Sequence, residues 1–318
     1  MQAMLDMFLL ILGLILLVQS AKIFVNASVD IATRLKIPRM IIGLTIVAMG
    51  TSAPEVVISV SAAIGGSSDL AIANVVGSNL FNLLFIVGFC AMLFPITVRM
   101  KAISRDYWVS AAATIMLLVM VLIFNYNIPR LGGLSFLILF AIYMVVLVRH
   151  TVKNKATEPE TEQTDASAKP KAIWHSIIFA IIGISIIIAA GQLTVSSAVN
   201  IALAIGISER VVGLTIVAMG TALPEFVTTI IACKKGEGEF ALGFIIGSSI
   251  FNIMFVLGLA GTITPLALSH GVLFDTTVLL AGTLAFFLFA KSGEKLIRLE
   301  GFCMVAIFGA YMTWVLLA

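Results

Sequence analysis

The chain has 318 residues, of which 61% are hydrophobic and 11% are charged, and its net charge is +3. Its mean hydropathy is +1.16, whereas a soluble domain carries about 25% charged residues to cover its water-exposed surface. The composition therefore excludes a soluble protein and indicates an integral membrane protein surrounded by a lipid bilayer. It gives no sign of a nucleic-acid partner, and the three cysteines are too scattered for a disulfide framework or a metal site.

Runs of apolar residues mark the predicted spans, because a helix that crosses a bilayer needs about 20 largely apolar residues. The first run has no signal-peptide cleavage site, so we expect it to remain in the membrane. In chain order, the sequence predicts ten spanning helices at 5–33, 38–64, 69–94, 106–125, 130–149, 173–203, 209–233, 239–263, 272–290 and 299–317.

The basic residues lie on one side of this layout. Of the 19 Lys and Arg residues, 16 fall in the loops that follow odd-numbered spans. The positive-inside rule places those loops in the cytoplasm and both termini outside. We therefore expect a multi-pass protein of the cell (inner) membrane.

One long polar connection divides the chain. Residues 151–172 mix acidic and basic side chains with Pro, Ser and Thr, which is typical of a flexible linker, here on the cytoplasmic side. It separates a first five-helix repeat, 1–150, from a second, 173–318. Because five is odd, the second half enters the membrane upside down. The sequence thus predicts an all-α protein of two inverted repeats, an arrangement of many secondary transporters.

Two motifs recur in the two halves at a constant offset of 170 residues. The stretch GLTIVAMGTSAPE at 43–55 returns as GLTIVAMGTALPE at 213–225, identical at eleven of thirteen positions. GSNLFN at 77–82 likewise returns as GSSIFN at 247–252. The proline of the first motif removes a backbone donor and its glycine adds freedom, so we expect a helix break there. The carbonyls freed around Ala48 to Thr51 and Ala218 to Thr221 are tolerable in a membrane only where they line a cavity or bind a cation.

The repeated polar residues suit a hard cation. Glu55 and Glu225 lie near the middle of their spans, where an ionised side chain costs at least about 2.5–3.5 kcal/mol. Two such carboxylates brought together would repel each other unless a cation sat between them. Hydroxyls, amides and carbonyls would complete an all-oxygen shell, which Ca²⁺ prefers. The second motif adds hydroxyl and amide side chains spaced four residues apart, on one helix face in each half: Ser78 with Asn82, and Ser248 with Asn252.

A plainer interpretation exists for each of these residues. A single Ser, Thr or Asn in a spanning helix more often bonds a neighbouring helix than binds an ion. Recurrence of the whole set in both halves favours the ion site. Asn74 has Phe244 as its counterpart, so for Asn74 we expect an interhelical hydrogen bond.

The paired motifs, GTSAPE with GSNLFN and GTALPE with GSSIFN, resemble the two α-repeats of the cation/calcium exchanger superfamily, in its prokaryotic sodium/calcium exchanger branch. The resemblance covers the whole chain, and it implies that the second, third, seventh and eighth helices hold the ions while the first and sixth slide across them. It implies a Ca²⁺ site made by Glu55 and Glu225 with the main-chain carbonyls of Thr51 and Thr221. The implied Na⁺ sites draw on Ala48, Thr51, Ser52, Glu55, Ser78, Asn82, Ala218, Thr221, Glu225, Ser248 and Asn252.

Two positions depart from that pattern. Ala222 stands where the first repeat and many relatives have Ser, so one hydroxyl is missing. Asn252 stands where some prokaryotic members have Asp, which leaves two core carboxylates. The number of Na⁺ ions and the question of proton coupling therefore stay open.

The function that these features imply is secondary antiport of Ca²⁺ against Na⁺ by alternating access, with the two ions as substrates. We expect no enzymatic activity, no cofactor and no obligate protein partner. The alternative is H⁺/Ca²⁺ or other cation/Ca²⁺ antiport on the same fold, although H⁺-coupled relatives usually have Gly-Asn-x-x-Glu in place of the first motif. An ion channel is disfavoured because the symmetry is internal and inverted. An intramembrane protease is disfavoured because the spans lack its motifs.

Overall fold

The structure is a computed structural model that describes residues 2–35, 37, 39–154, 173–205 and 218–317. The described chain is helical apart from short connections and four two-residue strands. The helices are α1 (Gln2–Arg34), α2 (39–51), α3 (Ala53–Ile64), α4 (Ser68–Leu93), α5 (Met100–Ile123), α6 (Arg130–Asn154), α7 (Ile173–Ala204), α8 (Ala218–Gly220), α9 (Leu223–Lys234), α10 (Gly238–Ile263), α11 (Gly271–Gly293) and α12 (Arg298–Leu317). The strands are β1 (Ile96–Thr97), β2 (Asn127–Ile128), β3 (Leu266–Ala267) and β4 (Lys295–Leu296).

The all-helical class predicted from the sequence is confirmed, whereas the count of ten spans stays a prediction. Seven of the described helices are each long and apolar enough to cross a membrane, and α2 with α3 makes an eighth if the bent pair is one span. The predicted span 209–233 begins in residues outside the described part, and the predicted span 299–317 corresponds to the 20-residue helix α12. The seven helices are α1, α4, α5, α6, α7, α10 and α11.

The predicted helix break is present in both halves. The axes of α2 and α3 differ by 48°, and Ser52 between them has φ −80° and ψ 11°. Ala222 takes nearly the same conformation before α9, with φ −90° and ψ 7°. Each break is followed by a proline in the first turn, Pro54 or Pro224, where a helix does not use the missing N–H.

The long helices α1 and α7 run antiparallel, and polar contacts join them at both ends. Asn200 near the end of α7 donates to Asp6 near the beginning of α1 at 3.1 Å. At the other end, Ser176 donates to Asp30. The two pairs are equivalent under the repeat offset of 170, because position 6 corresponds to 176 and position 30 corresponds to 200. Equivalent helices of the two halves thus point in opposite directions, as an inverted repeat requires.

The strands join the halves in the same reciprocal way. Ile96 of β1 pairs with Leu296 of β4, and Ile128 of β2 pairs with Leu266 of β3. β1 and β3 are equivalent strands, 170 residues apart in the two halves. β1 of the first half pairs with a strand of the second, and β3 of the second half pairs with a strand of the first. Two short antiparallel pairs therefore tie the halves together outside the helices.

The centre of the molecule lies at α4 and α10, in whose most apolar 18-residue stretches 78% and 94% of the residues are buried. Close backbone contact holds α2 against α10: a Cβ added at Gly247 would lie 2.4 Å from the Leu44 carbonyl oxygen, and one at Gly243 would lie 2.5 Å from that of Met40. Small residues allow such close approach between helices in a membrane. The contact brings the end of α2 beside the GSSIFN motif of α10.

Candidate ion-binding site

The site forms where the two helix breaks meet the middle of α4 and α10. Eight of the predicted side chains are buried there, namely Thr51, Ser52, Glu55, Ser78, Asn82, Glu225, Ser248 and Asn252. Ala48 is also buried, Thr221 is half-buried, and Ala218 begins α8. Every residue predicted for the site therefore belongs to one of the segments that converge at the centre, two from each half of the chain.

A chain of hydrogen bonds links the halves directly. Asn82 Nδ2 donates to Ser248 Oγ at 3.3 Å, the hydroxyls of Ser248 and Ser52 lie 2.9 Å apart, and Ser52 Oγ donates to Glu225 Oε1 at 3.3 Å. An ionised carboxylate can only accept, and Ser52 has a single hydroxyl proton, so Ser248 must donate to Ser52. The order of donors is thereby fixed from the Asn82 amide to the Glu225 carboxylate.

Each glutamate occupies the first turn of a helix. Glu55 lies in the first turn of α3 and Glu225 in the first turn of α9, where the helix dipole favours negative charge. The Ser52 hydroxyl also donates to the Glu225 carboxylate. The two carboxylates are nevertheless close enough to repel each other. The helix starts stabilise each charge singly, and a cation between the charges would relieve their mutual repulsion.

Unpartnered oxygen atoms are concentrated at this point. Buried polar side-chain atoms nearly always have a hydrogen-bond partner. Among the described residues, six such atoms have none, and five of them belong to residues predicted for the ion site. All are oxygens, which are the ligands that hard cations such as Ca²⁺ prefer. The five are Glu55 Oε2, Ser78 Oγ, Asn82 Oδ1, Glu225 Oε2 and Asn252 Oδ1.

The backbone at the break is less open than the sequence predicts. The Ala48 carbonyl accepts from the Ser52 N–H at 3.1 Å and from the Thr51 hydroxyl at 3.4 Å. The Thr51 hydroxyl also bonds the Val47 carbonyl, at 3.1 Å. The helical bonding thus continues up to Ser52, and the Ala48 carbonyl is not left free by the break.

Among the described residues, three π-helical turns lie in or next to the motifs, and none of them was predicted from the sequence. One turn, Gly43–Val47, directly precedes Ala48. The others, Phe81–Ile86 and Phe251–Leu257, contain Asn82 and Asn252 at their second position. Such turns are rare and frequently mark functional sites. The residue types in these turns do not predict a π-helix. Two of the turns nevertheless begin at equivalent positions of the repeated sequence motifs, so the repeat does identify the segments that contain them.

Two further buried polar residues were also missed. Asn79 contacts Asn252, and the hydroxyl oxygen of Thr228, one turn after Glu225, is the sixth unpartnered atom. Neither is matched by the same residue in the other half, where Ser249 and Ile58 stand. The repeat therefore gave no reason to select them.

The interpretation of Asn74 is confirmed. Its Nδ2 donates to the Ser59 hydroxyl at 2.9 Å and to the Glu55 carbonyl at 3.4 Å. These bonds join α4 to α3. Asn74 therefore holds the backbone of a site residue, as expected of an interhelical hydrogen bond.

The chain matches known proteins over nearly its full length. A family model described as sodium/calcium exchanger protein matches residues 5–149 and 175–317. The chain is 38% identical over 306 residues to a protein named antiporter CaxA from Alkalimonas amylolytica, covering 95% of each chain. In an alignment of 346 positions, gaps included, it is 30% identical to sodium/calcium exchanger MaX1 from Methanosarcina acetivorans. The alignment covers 96% of this chain and 97% of that one.

A solved structure of the sodium-calcium exchanger NCX_Mj superposes with a TM-score of 0.84 at 30% identity, over 98% of this chain and 99% of the other. The likeness covers the helices of both halves together. It therefore extends to the centre of the molecule, where the buried carboxylates lie.

Proposed function

Because the chain belongs to the sodium/calcium exchanger protein family and is a cation/Ca²⁺ antiporter of a membrane, we propose that it exports Ca²⁺ in exchange for entering Na⁺. The observation that carries the proposal is the set of five unpartnered oxygens around two buried carboxylates. A site that held neither a cation nor water would leave each of these atoms without a partner, at about 1–3 kcal/mol apiece.

Ca²⁺ binds, in this proposal, between Glu55 and Glu225. Each carboxylate lies at the start of a helix, and the preceding residues Thr51 and Thr221 offer main-chain carbonyls. One Ca²⁺ then neutralises the pair. The amide and hydroxyl oxygens nearby replace part of the hydration shell, as the flexible coordination of Ca²⁺ allows.

Na⁺ occupies overlapping positions. The unpartnered oxygens of Ser78, Asn82 and Asn252 serve it together with the hydroxyls of Ser52 and Ser248 and the carbonyl of Ala218. The carbonyl of Ala48 can join them only after it gives up its bond from the Thr51 hydroxyl. Solved structures of NCX_Mj were obtained from crystals soaked in Na⁺ with Ca²⁺ or Sr²⁺. Sharing of ligands between the two ions makes their binding exclusive, which is the condition for exchange.

Alternating access requires helices that can move as a unit. α1 and α7 are joined to each other at both ends, and, as in α6 and α11, only about a third or less of the residues in their most apolar 18-residue stretches are buried. We infer that this pair slides across the core of α2, α3, α4, α9 and α10 and opens the site to one side at a time. In the membrane, both termini face outward and the linker lies in the cytoplasm.

The proposal is tested by Ca²⁺ uptake into proteoliposomes under imposed gradients of Na⁺, K⁺ or H⁺. We expect uptake only with Na⁺ inside. Two Na⁺ neutralise the two carboxylates and a third leaves the site at +1, so three-for-one exchange moves net positive charge outward when Na⁺ leaves. An inside-positive potential, imposed with outside K⁺ and valinomycin, is worth about 2.3 kcal/mol per charge per 100 mV and should accelerate uptake.

Two outcomes would correct the proposal in different ways. Uptake driven by a pH gradient and indifferent to Na⁺ would make the protein an H⁺/Ca²⁺ antiporter. Na⁺-dependent uptake that is insensitive to potential would favour neutral two-for-one exchange. Liposomes without protein supply the leak for both measurements.

A further inference from the structure

Asn79 is a fully buried amide on α4 that bonds both the backbone and a side chain of α10. Its Nδ2 donates to the main-chain carbonyl of Ser249 at 3.3 Å. Its Oδ1 accepts from Asn252 Nδ2 at 3.2 Å. Both ends of the Asn79 amide are therefore committed to α10.

The two bonds leave only one orientation for each amide. A main-chain carbonyl can only accept, so Asn79 must turn its Nδ2 towards Ser249 and its Oδ1 towards Asn252. An oxygen in that position needs a donor, and Asn252 can supply one only through Nδ2. Asn252 Oδ1 is thereby turned to the opposite side, where it is buried and unpartnered.

Resting on the proposed function, we propose that Asn79 is a positioning residue that fixes the Asn252 amide so that its oxygen, and not its nitrogen, faces the transported cation. Without Asn79, the nitrogen of Asn252 is free to turn towards the carboxylates in the ion-free state. A cation would then have to displace an N–H donor before it binds. The carbonyl of Ser249 supplies the reference that sets this orientation.

A small cavity with both polar and apolar walls lies beside Asn79, and neither glutamate lines it. It is lined by Asn79, Ser110, Thr114, Ser249 and Thr283 with apolar neighbours, and it has room for about one water molecule. When Asn79 is shortened to alanine, water from this cavity can fill the gap. Water both donates and accepts, so it bonds either end of the Asn252 amide and imposes no orientation.

The first experiment compares Asn79→Ala with the wild type in Na⁺-loaded proteoliposomes. The variant loses the hydrogen bond that orients the Asn252 amide. We therefore expect the KM for Ca²⁺ to rise about tenfold, with the maximal rate retained. Thr114→Val is the matched control, because Thr114 lines the same cavity but donates only to the Ser110 carbonyl of its own helix. Its KM should stay within about twofold of the wild type. An unchanged KM in Asn79→Ala, or an equal rise in Thr114→Val, would overturn the proposal.

The second experiment separates orientation from packing. An aspartate has oxygen at both ends and needs no orienting, so Asn79→Ala should raise the KM in the wild-type background but change it less than about twofold in an Asn252→Asp background. An equal rise in both backgrounds would mean that Asn79 acts only through packing. Asn79→Ser replaces the alanine variant if that variant does not fold, since a hydroxyl is too short to span Ser249 and Asn252.

The same comparison can be made without transport. Ca²⁺ that binds the folded protein raises its thermal unfolding temperature by an amount that grows with the logarithm of the ratio of Ca²⁺ concentration to Kd. In detergent-purified protein, Asn79→Ala should need about tenfold more Ca²⁺ for the same rise, and the Asn252→Asp background should remove the difference. A wild type that binds Ca²⁺ but shows no Na⁺-driven uptake would defeat the proposed function while leaving the role of Asn79 testable.

Discussion

Ser52 Oγ donates a hydrogen bond to Glu225 Oε1 at 3.3 Å across the interface of the two halves, and the reciprocal bond does not exist. The equivalent of Ser52 is Ala222, which has no hydroxyl to offer Glu55. Oε2 of each glutamate is buried without a partner. The two halves of the site therefore differ at this pair of positions, where the first half has a hydroxyl group and the second has only a methyl group.

This asymmetry predicts opposite effects for two substitutions. Ala222→Ser supplies the missing hydroxyl, so the Na⁺ concentration for half-maximal Ca²⁺ exchange should fall, by roughly threefold to tenfold for one added hydrogen-bonding oxygen. Ser52→Ala removes the existing hydroxyl and should raise the Na⁺ concentration for half-maximal exchange by a similar factor. The measurement is the Na⁺ dependence of Ca²⁺ efflux from proteoliposomes. If the Na⁺ dependence of both variants is identical to that of the wild type, neither hydroxyl takes part in Na⁺ binding.

Glu55→Gln and Glu225→Gln should each reduce Ca²⁺ transport to the level of empty liposomes. The change is nearly isosteric, so the helices should still assemble, but one charge cannot replace the hydration of Ca²⁺. Asp275→Asn is the matched control: Asp275 lies on α11 and accepts from the Tyr311 hydroxyl at 3.0 Å, and an amide oxygen can keep that bond. Flux near the wild-type rate in either glutamine variant, at normal expression, would rule out the two-carboxylate site.

Gly247→Ala should destabilise the protein by about 1–3 kcal/mol, the usual cost of inserting a methyl group into a packed core. The new Cβ would lie 2.4 Å from the Leu44 carbonyl oxygen, a main-chain atom that cannot step aside. Thermal unfolding of the detergent-purified protein measures the effect. In the control Gly309→Ala, no described atom outside the local backbone of α12 and the two chain neighbours lies within 4 Å of the new Cβ, and stability should be unchanged or slightly raised. Equal unfolding temperatures for both variants would mean that α2 and α10 are not in close contact.

The linker 151–172 should be dispensable for transport. Residues 155–172 lie outside the described part of the structure, and 22 residues of mixed charge are too few to form a regulatory domain. A shorter Gly/Ser linker that still spans the gap should preserve Ca²⁺ flux. Loss of flux with normal membrane insertion would reveal a functional element in this segment.

Both termini should be accessible from outside and residue 153 from the cytoplasm, because 16 of 19 basic residues lie in odd-numbered loops. The three native cysteines are first replaced, and single cysteines are then introduced at Gln2 and Lys153. An impermeant thiol reagent added to intact cells should label only the position near the amino terminus. Labelling of residue 153 alone would invert the topology and the direction assigned to each half.

Much of the candidate site could be predicted because its features are local or repeated. The proline and glycine of GTSAPE act on the helix that contains them, so the breaks at Ser52 and Ala222 follow from the backbone chemistry of a few residues. A carboxylate within an apolar run is recognisable by its cost, and its return 170 residues later separates Glu55 and Glu225 from chance.

The membrane class, the two helix breaks and the pair of carboxylates follow from the sequence. The contacts of Ser52 with Glu225, of Asn79 with Asn252 and of Gly247 with the backbone of Leu44 are visible only in the folded structure. Each of these contacts joins residues more than 170 positions apart. Helix periodicity gives the face on which a residue lies, but it contains no information about which distant helix covers that face, since apolar helices in a membrane have many apolar surfaces to choose from.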